Sequence, residues 1–324
     1  MKIGKLTTTE LNDSVISLLK RVRSEVKCSA AIGEDCAVAE IDGLILISSD
    51  PITAQVELEK LGALCVSVCC NDIASNGGEP IAMTLTLIMP TTHSANDVKI
   101  IMTGAVEKAT ELGVEIVGGH TEFSDCVVRP VICGTAIGKT QNPILKTALK
   151  EGESLVVSKQ LGMEGTCIII DADKLELDTA EQKIYEDYTK SLDVTAESRI
   201  LSKLSCVSIM HDITEGGILG AVAEICHNQG LGATLYREKM PLSPLTERIC
   251  AMRKINPLRL ISSGSMLIST SQPQTVIDEL AKFGITATEI GKVTAGKTVL
   301  INGENIEEFD VEPDELYKLN GEEK

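Results

Sequence analysis

Carboxylates recur in this chain where a regular element gives way to glycine or serine. "AAIGEDCAV" sets Glu34 and Asp35 in a glycine-led turn, and "LILISSDPIT" sets Asp50 just past an apolar strand. In "LGALCVSVCCNDIAS" the helical stripe Leu61, Leu64, Cys65, Val68 runs on to Asn71 and Asp72. "VEIVGGHTEFSD" places Gly118, Gly119, His120, Thr121 and Glu122 in a loop after another strand. "VSIMHDITEGG" places His211 and Asp212 at a strand-to-helix junction. Oxygen ligands of this kind suit a hard cation, because magnesium takes a few carboxylates plus substrate phosphates. Asp35, Asp50, Asp72 and Asp212 are therefore the candidate metal set for holding a triphosphate. Gly216 and Gly217 precede a helix whose free amides could hold a phosphate. His120 and His211 are candidate bases. Each feature alone has a plainer reading, since Asp favours turns and Asp72 would also serve as a solvated helix cap. No G-x-x-x-x-G-K-[ST] loop and no G-x-G-x-x-G is present, so the residues alone leave the reaction open.

Composition excludes several classes. A charge of −17 and the absence of Trp argue against nucleic acid as a partner. No apolar run reaches the length of a membrane span. The 11 cysteines form no C-x-x-C pair, and their odd number without a secretory signal predicts a reducing, cytoplasmic setting. With 324 residues, 43% hydrophobic and 24% charged, the chain predicts two globular domains.

The elements that must position these residues interleave strands and helices in both halves, a mixed α and β class. The spacing predicts an amphipathic helix near Thr9 to Arg23 and strands at "CAVAEI", "LILISS" and "IAMTLTLIM". The Leu61 helix lies between the last two strands, and a second helix carries Val98, Ile101, Met102, Ala105, Ala109 and Leu112 up to Gly113. "KTQNPILKTALKEGE" reads as the linker. Beyond it come strands at "SLVVS" and "TCIII", a charged helical region from Thr179 to Leu204, the strand "CVSIM", and a helix from Gly217 to Cys226. Four further elements follow: "SGSMLIST", the helix "QTVIDELAKFG", and strands at "TATEIGKVT" and "KTVLI". "DVEPDELYKLNGEEK" reads as a loosely held acidic tail.

Together these motifs resemble, in chain order, the aminoimidazole ribonucleotide (AIR) synthetase superfamily, which includes hydrogenase-maturation carbamoyl dehydratase, thiamine-monophosphate kinase and selenophosphate synthetase. "GEDCAV" is similar to that family's G-D-D turn, "SSDPIT" to its T-T-D strand end, and "CCNDIASNGGEP" to its N-D-[IL]-A-x-x-G-A-x-P segment. "GGHTE" is similar to G-G-D-T, and "HDITEGG" to D-x-T-x-G-G. "GMEGTCIII" and "INPLRLISSGSML" look most like the hydrogenase-maturation branch.

The resemblance implies an α+β protein of two mixed domains, at residues 31–140 and 151–310, flanked by a lead-in over 1–30 and a tail over 311–324. It also implies a homodimer that pairs N-terminal sheets, with ATP and Mg2+ as cofactors. The shared chemistry is phosphoryl transfer to a small-molecule acceptor, with a nucleoside-like one such as α-ribazole among the options. By position, Asp35, Asp50, Asp72 and Asp212 hold metal and phosphate, Asn71 positions them, and Gly118, Gly119 and Thr121 line the nucleotide loop. His120 replaces the usual acid, with Glu122 two residues on as its substitute. The dehydratase's terminal carrier cysteine has no counterpart in "NGEEK". Two alternatives therefore stand beside the kinase: a factor acting with a maturation partner protein that supplies the thiol, and a nucleotide-binding scaffold without turnover.

Overall fold

The structure is a computed structural model that describes residues 4–29, 37–52, 56–227, 229–305 and 314–319. Asp35, with the rest of the "GED" turn, lies outside the described residues. The chain divides into two compact units, one of residues 1–74 and 78–142, the other of residues 75–77 and 143–324.

The first unit contains β1 (Gly4–Lys5), α1 (Thr8–Ser14), β2 (Val26–Cys28), β3 (Val38–Ala39), β4 (Leu44–Ile52), α2 (Leu58–Ser75, whose last residue falls in the second unit), β5 (Glu79–Pro90), α3 (Ala95–Leu112), β6 (Glu115–Ser124) and β7 (Val131–Thr140). Its main sheet has the order β1-β6-β5-β7-β4, with β2 and β3 pairing separately. The expected helical stripe of α3 is buried as read, between a Ser94–Asp97 capping box and left-handed Gly113. The longer amino-terminal helix expected from Thr9 to Arg23 is not formed. Helix α1 ends at Ser14, and buried Glu115 instead captures the extended chain, accepting the Val22 and Arg23 amides and pairing with Arg21.

Helix α2 lies very close to its neighbours because glycine removes the obstructing side chains. A Cβ at Gly134 on β7 would sit 2.5 Å from Cys69 Sγ, and one at Gly138 would sit 2.2 Å from Ile73 Cγ2. On the opposite side, Gly62 faces the Ile101 carbonyl, which a Cβ would approach to 2.0 Å. The helix closes through left-handed Gly77, with the Gly78 amide returning to the Ile73 carbonyl.

The second unit contains β8 (Ser154–Ser158), α4 (Met163–Asp173), α5 (Thr179–Lys190), α6 (Thr195–Leu201), β9 (Val207–Asp212), α7 (Gly217–His227), β10 (Leu231–Leu235), α8 (Pro244–Arg253), β11 (Met266–Thr270), α9 (Pro273–Ala281), β12 (Ala287–Ala295), β13 (Val299–Ile301), β14 (Glu304–Asn305) and α10 (Glu315–Leu319). Its sheet runs β14-β13-β10-β12-β8-β11-β9. Leu155, Val157, Ile209 and Leu267 of this sheet share a core with Val222 and Ile225 of α7.

Two expectations are corrected in this unit, and a third is given its detail. "TCIII" is not a strand but the middle of α4. Every residue from Met163 to Ile170 is buried, packed against α5 and α8, so no polar face betrays the helical period. The charged helical region 179–204 is formed by two helices, α5 and α6. Lys159 Nζ holds the break open, donating to the Ser191, Asp193 and Gly264 carbonyls while pairing with buried Glu197 at 2.9 Å. The acidic tail is not loose over its described part, since α10 follows Asp314 and both Asp314 and Glu315 are buried. Among the described residues, no helix is long and apolar enough to cross a membrane.

Candidate functional site

In the first unit the fold brings Asp50 and Asp72 together. The glycines of β7 seat α2 on the sheet, and this places Asp72 over β4 beside Ser48. The Ser48 hydroxyl contacts Asp50 Oδ2 at 3.2 Å and makes a short hydrogen bond to Asp72 Oδ2. A serine hydroxyl carries one proton, so it can satisfy only one of these carboxylates at a time. Two half-buried carboxylates gathered around one hydroxyl form an oxygen-rich environment suited to a cation. Asn71, fully buried, precedes Asp72 on α2. Asp50 is inside β4 rather than past its end.

The "GGHTE" segment is also strand rather than loop. Gly118 to Glu122 lie within β6, where the parallel register with β5 slips at Met83 and Thr84. The pairing sorts this segment onto two faces. Asp50, Gly134, Leu85 and Gly119 occupy one row across the sheet, on the side covered by α2. Pro51, Cys133, Thr86 and His120 occupy the next row, so their side chains leave the opposite face. Gly118 and Glu122 share the His120 face, and Thr121 shares that of Gly119. His120 Nε2 lies 3.2 Å from Glu122 Oε2. Glu122 is thus a partner of His120 within the strand, and the structure does not bring either to the Asp50–Asp72 pair.

The second unit holds the other candidates. Asp212, the last residue of β9, is buried, and its Oδ1 accepts the Ser75 hydroxyl at 3.0 Å. Ser75 Oγ in turn accepts the Asp212 amide, while Asp212 Oδ2 is buried without a hydrogen-bond partner. A buried carboxylate oxygen left unpaired is costly, and it fits a metal or a ligand donor. His211 Nε2 lies 2.9 Å from Glu224 Oε2 on α7, an arrangement that holds the ring with Nδ1 turned away from that carboxylate. Gly216, just ahead of α7, and Gly217, its first residue, both have left-handed backbones. A Cβ at Gly217 would come within 2.6 Å of the Leu258 carbonyl.

Four contributors escaped the sequence reading. Ser48 and Ser75 are visible only as small polar residues near Asp50 and Asp72. Glu224 lies 13 residues from His211, across a strand–turn–helix connection. Asp314, whose carboxylate occupies the Gly216 amide, lies 98 residues away. Among the described residues, no group of three or more His, Cys, Asp or Glu side chains is placed to hold a metal. The described donors that fit a cation are therefore the Asp50–Asp72 pair and, by itself, the orphaned oxygen of Asp212.

Residues 33–140 match the N-terminal domain of AIR synthase related proteins, and residues 150–302 match the C-terminal domain. The chain belongs to the AIR synthase-related family. Its relatives include the carbamoyl dehydratase HypE of Cupriavidus necator, 27% identical over 64% of this chain and 59% of HypE. The match thus spans less than two thirds of that relative's length. The thiamine-monophosphate kinase of Pyrococcus horikoshii is 24% identical over 85% of this chain and 87% of the kinase. Among solved structures, the hydrogenase maturation protein HypE in complex with ATP superposes with a TM-score of 0.80 at 16% identity, covering 97% of each chain. The AIR synthase-related fold, two mixed α and β domains, is therefore the fold of this chain.

Proposed function

We propose that this AIR synthase-related protein uses ATP and magnesium to transfer a phosphoryl group to an oxygen nucleophile of a small-molecule acceptor. The observation that carries the reading is the convergence of the Asp50 and Asp72 carboxylates on the Ser48 hydroxyl. ATP complexation by HypE and the kinase activity of a relative support the same chemistry. Magnesium would supply charge neutralisation for the phosphates, with Asp50 and Asp72 as its protein ligands in the first unit. Asp212 offers a further oxygen toward metal or phosphate. Asp35 belongs to the same proposed set on the strength of the motif. Asn71 would position phosphate or metal-bound water, and the Gly216 amide is suited to a phosphate oxygen, with Gly217, whose own amide donates to the Thr214 carbonyl, allowing close approach.

His211 is the proposed proton acceptor. As the acceptor hydroxyl attacks the terminal phosphorus of ATP, its proton passes to His211 Nδ1, the bridging P–O bond breaks, and ADP leaves. Glu224 holds the ring for that step. Gly118, Gly119 and Thr121 remain proposed contacts to nucleotide, now as strand backbone. His120 and Glu122 belong to the opposite sheet face.

Calorimetric titration with a non-hydrolysable ATP analogue tests the reading. Wild type should bind only with magnesium, and Asp72→Asn should lose about a hundredfold or more in acceptor-dependent ADP release. Magnesium-independent binding, or full activity in Asp72→Asn, would sink the assignment.

A further inference from the structure

The amide that the Gly216 turn offers to an anion already has one. Asp314 Oδ2 accepts it at 2.8 Å, and Asp314 Oδ1 accepts the Leu316 amide at 2.9 Å. The Tyr317 hydroxyl donates to Glu215, one residue before the turn. Asp314 is 2% exposed and Glu315 4%. A carboxylate aimed at the amide that opens a helix places its oxygens where those of a phosphate would sit.

The contact is held and opposed at once. Burial pushes the Asp314 carboxyl up to about 6, against the pull of its two amide donors, and Glu215 and Glu315 add to the rise. Glu164, buried on α4, feels Asp314 and Glu215 in the same way. The segment is thus anchored by directional hydrogen bonds while standing among like charges, a combination that favours exchange for another anion over permanent closure.

We propose that residues 314–319 form an internal plug, in which the Asp314 carboxylate occupies the anion position of the Gly216 turn and must withdraw before a nucleotide phosphate can dock there. The proposal rests on the reading of that turn as a phosphate site. Because only the withdrawn state is competent, the observed affinity for nucleotide is reduced by the fraction of time the plug is seated.

The test compares magnesium–AMPPNP binding by wild type, Asp314→Ala and Asp314→Asn in the full chain, with amide hydrogen exchange of wild type as a second readout. Asp314→Ala should bind about tenfold more tightly than wild type or better. Asp314→Asn, which keeps an acceptor for the Gly216 amide without the charge, should fall between. Nucleotide should accelerate exchange over residues 314–319 in wild type, a measurement that needs no variant to fold. Binding by Asp314→Ala where wild type shows none would also support the plug. Equal affinities with unchanged exchange would overturn the plug and leave the nucleotide reading standing. No binding by any of the three would overturn both.

Discussion

Glu164 is a buried carboxyl of the second unit whose surroundings oppose its charge. It is buried on α4, its Oε2 finds no hydrogen-bond partner, and burial pushes its carboxyl up to about 7 despite the nearby Ser263. Asp314, raised to about 6, titrates in the same direction. For both groups the folded protein holds its proton more tightly than the unfolded chain does. Their contribution is therefore fully present below about pH 4 and is lost as pH rises through 6 and 7. Glu25 opposes this at the acid end only, since its hydrogen bond to Lys139 and its pairing with Arg23 hold its carboxyl down to about 2. Thermal unfolding should accordingly occur at a higher temperature at pH 5 than at pH 8. Glu164→Gln should be the more stable protein at pH 8, by about 2–3 kcal/mol, and should flatten the difference between the two pH values. A wild type equally stable at both would contradict the account. A separate residue-scale expectation concerns Glu224. If it orients His211, Glu224→Gln should lower kcat roughly tenfold and shift the acid limb of the pH–rate profile, with KM nearly unchanged. A merely structural contact would leave the profile where it is.

At the scale of elements, glycine decides where the candidate residues sit. Gly119 has φ of +150°, and a Cβ there would meet the Leu85 carbonyl at 1.9 Å. That obstacle is backbone of the neighbouring strand and cannot rotate away. Gly119→Ala should cost about 2–4 kcal/mol in denaturant unfolding, through loss of the β5–β6 register. Gly134→Ala meets the buried Cys69 thiol instead, and the displaced helix is α2. Its expected signature is weakened magnesium–nucleotide binding from a shifted Asp72, with a stability loss of only about 1–3 kcal/mol. The same elements show what was legible beforehand. Asp72 could be read as inward-facing because an apolar stripe at helical spacing led straight to it. The extent of β6 could not, because "GGHTE" has the composition of a turn and its strand character comes from pairing with β5. "TCIII" misled for the reverse reason: a β-branched run buried on every side carries no period. Asp314 was opaque because its partner is an amide contributed by a turn remote in sequence, and amides leave no trace in residue type.

For the whole molecule, the open question is how an acidic chain of net charge −17 covers the apolar surface of its first sheet. Strand β4 is the outer strand of that sheet, and Leu44 and Ile45 are each 54% exposed and Ile47 70%. Three large aliphatic side chains on a strand that pairs on one side only among the described residues are a liability in an isolated chain, because such an edge also offers backbone donors and acceptors. Charge repulsion between copies keeps such an edge from indiscriminate association, yet it is screened over about 8 Å at physiological ionic strength. Short-range apolar contact can then win over a limited area. The prediction is a defined pair of copies, joined through their first sheets, rather than open aggregation. Sedimentation equilibrium should show a dimer at 150 mM salt and weaker association at 10 mM, where the repulsion reaches further. Ile47→Glu, which adds a charge at the most exposed of the three positions, should sediment as a monomer at both. A wild type that is monomeric at 150 mM, or an Ile47→Glu protein that still dimerises, would place the covering of this edge elsewhere.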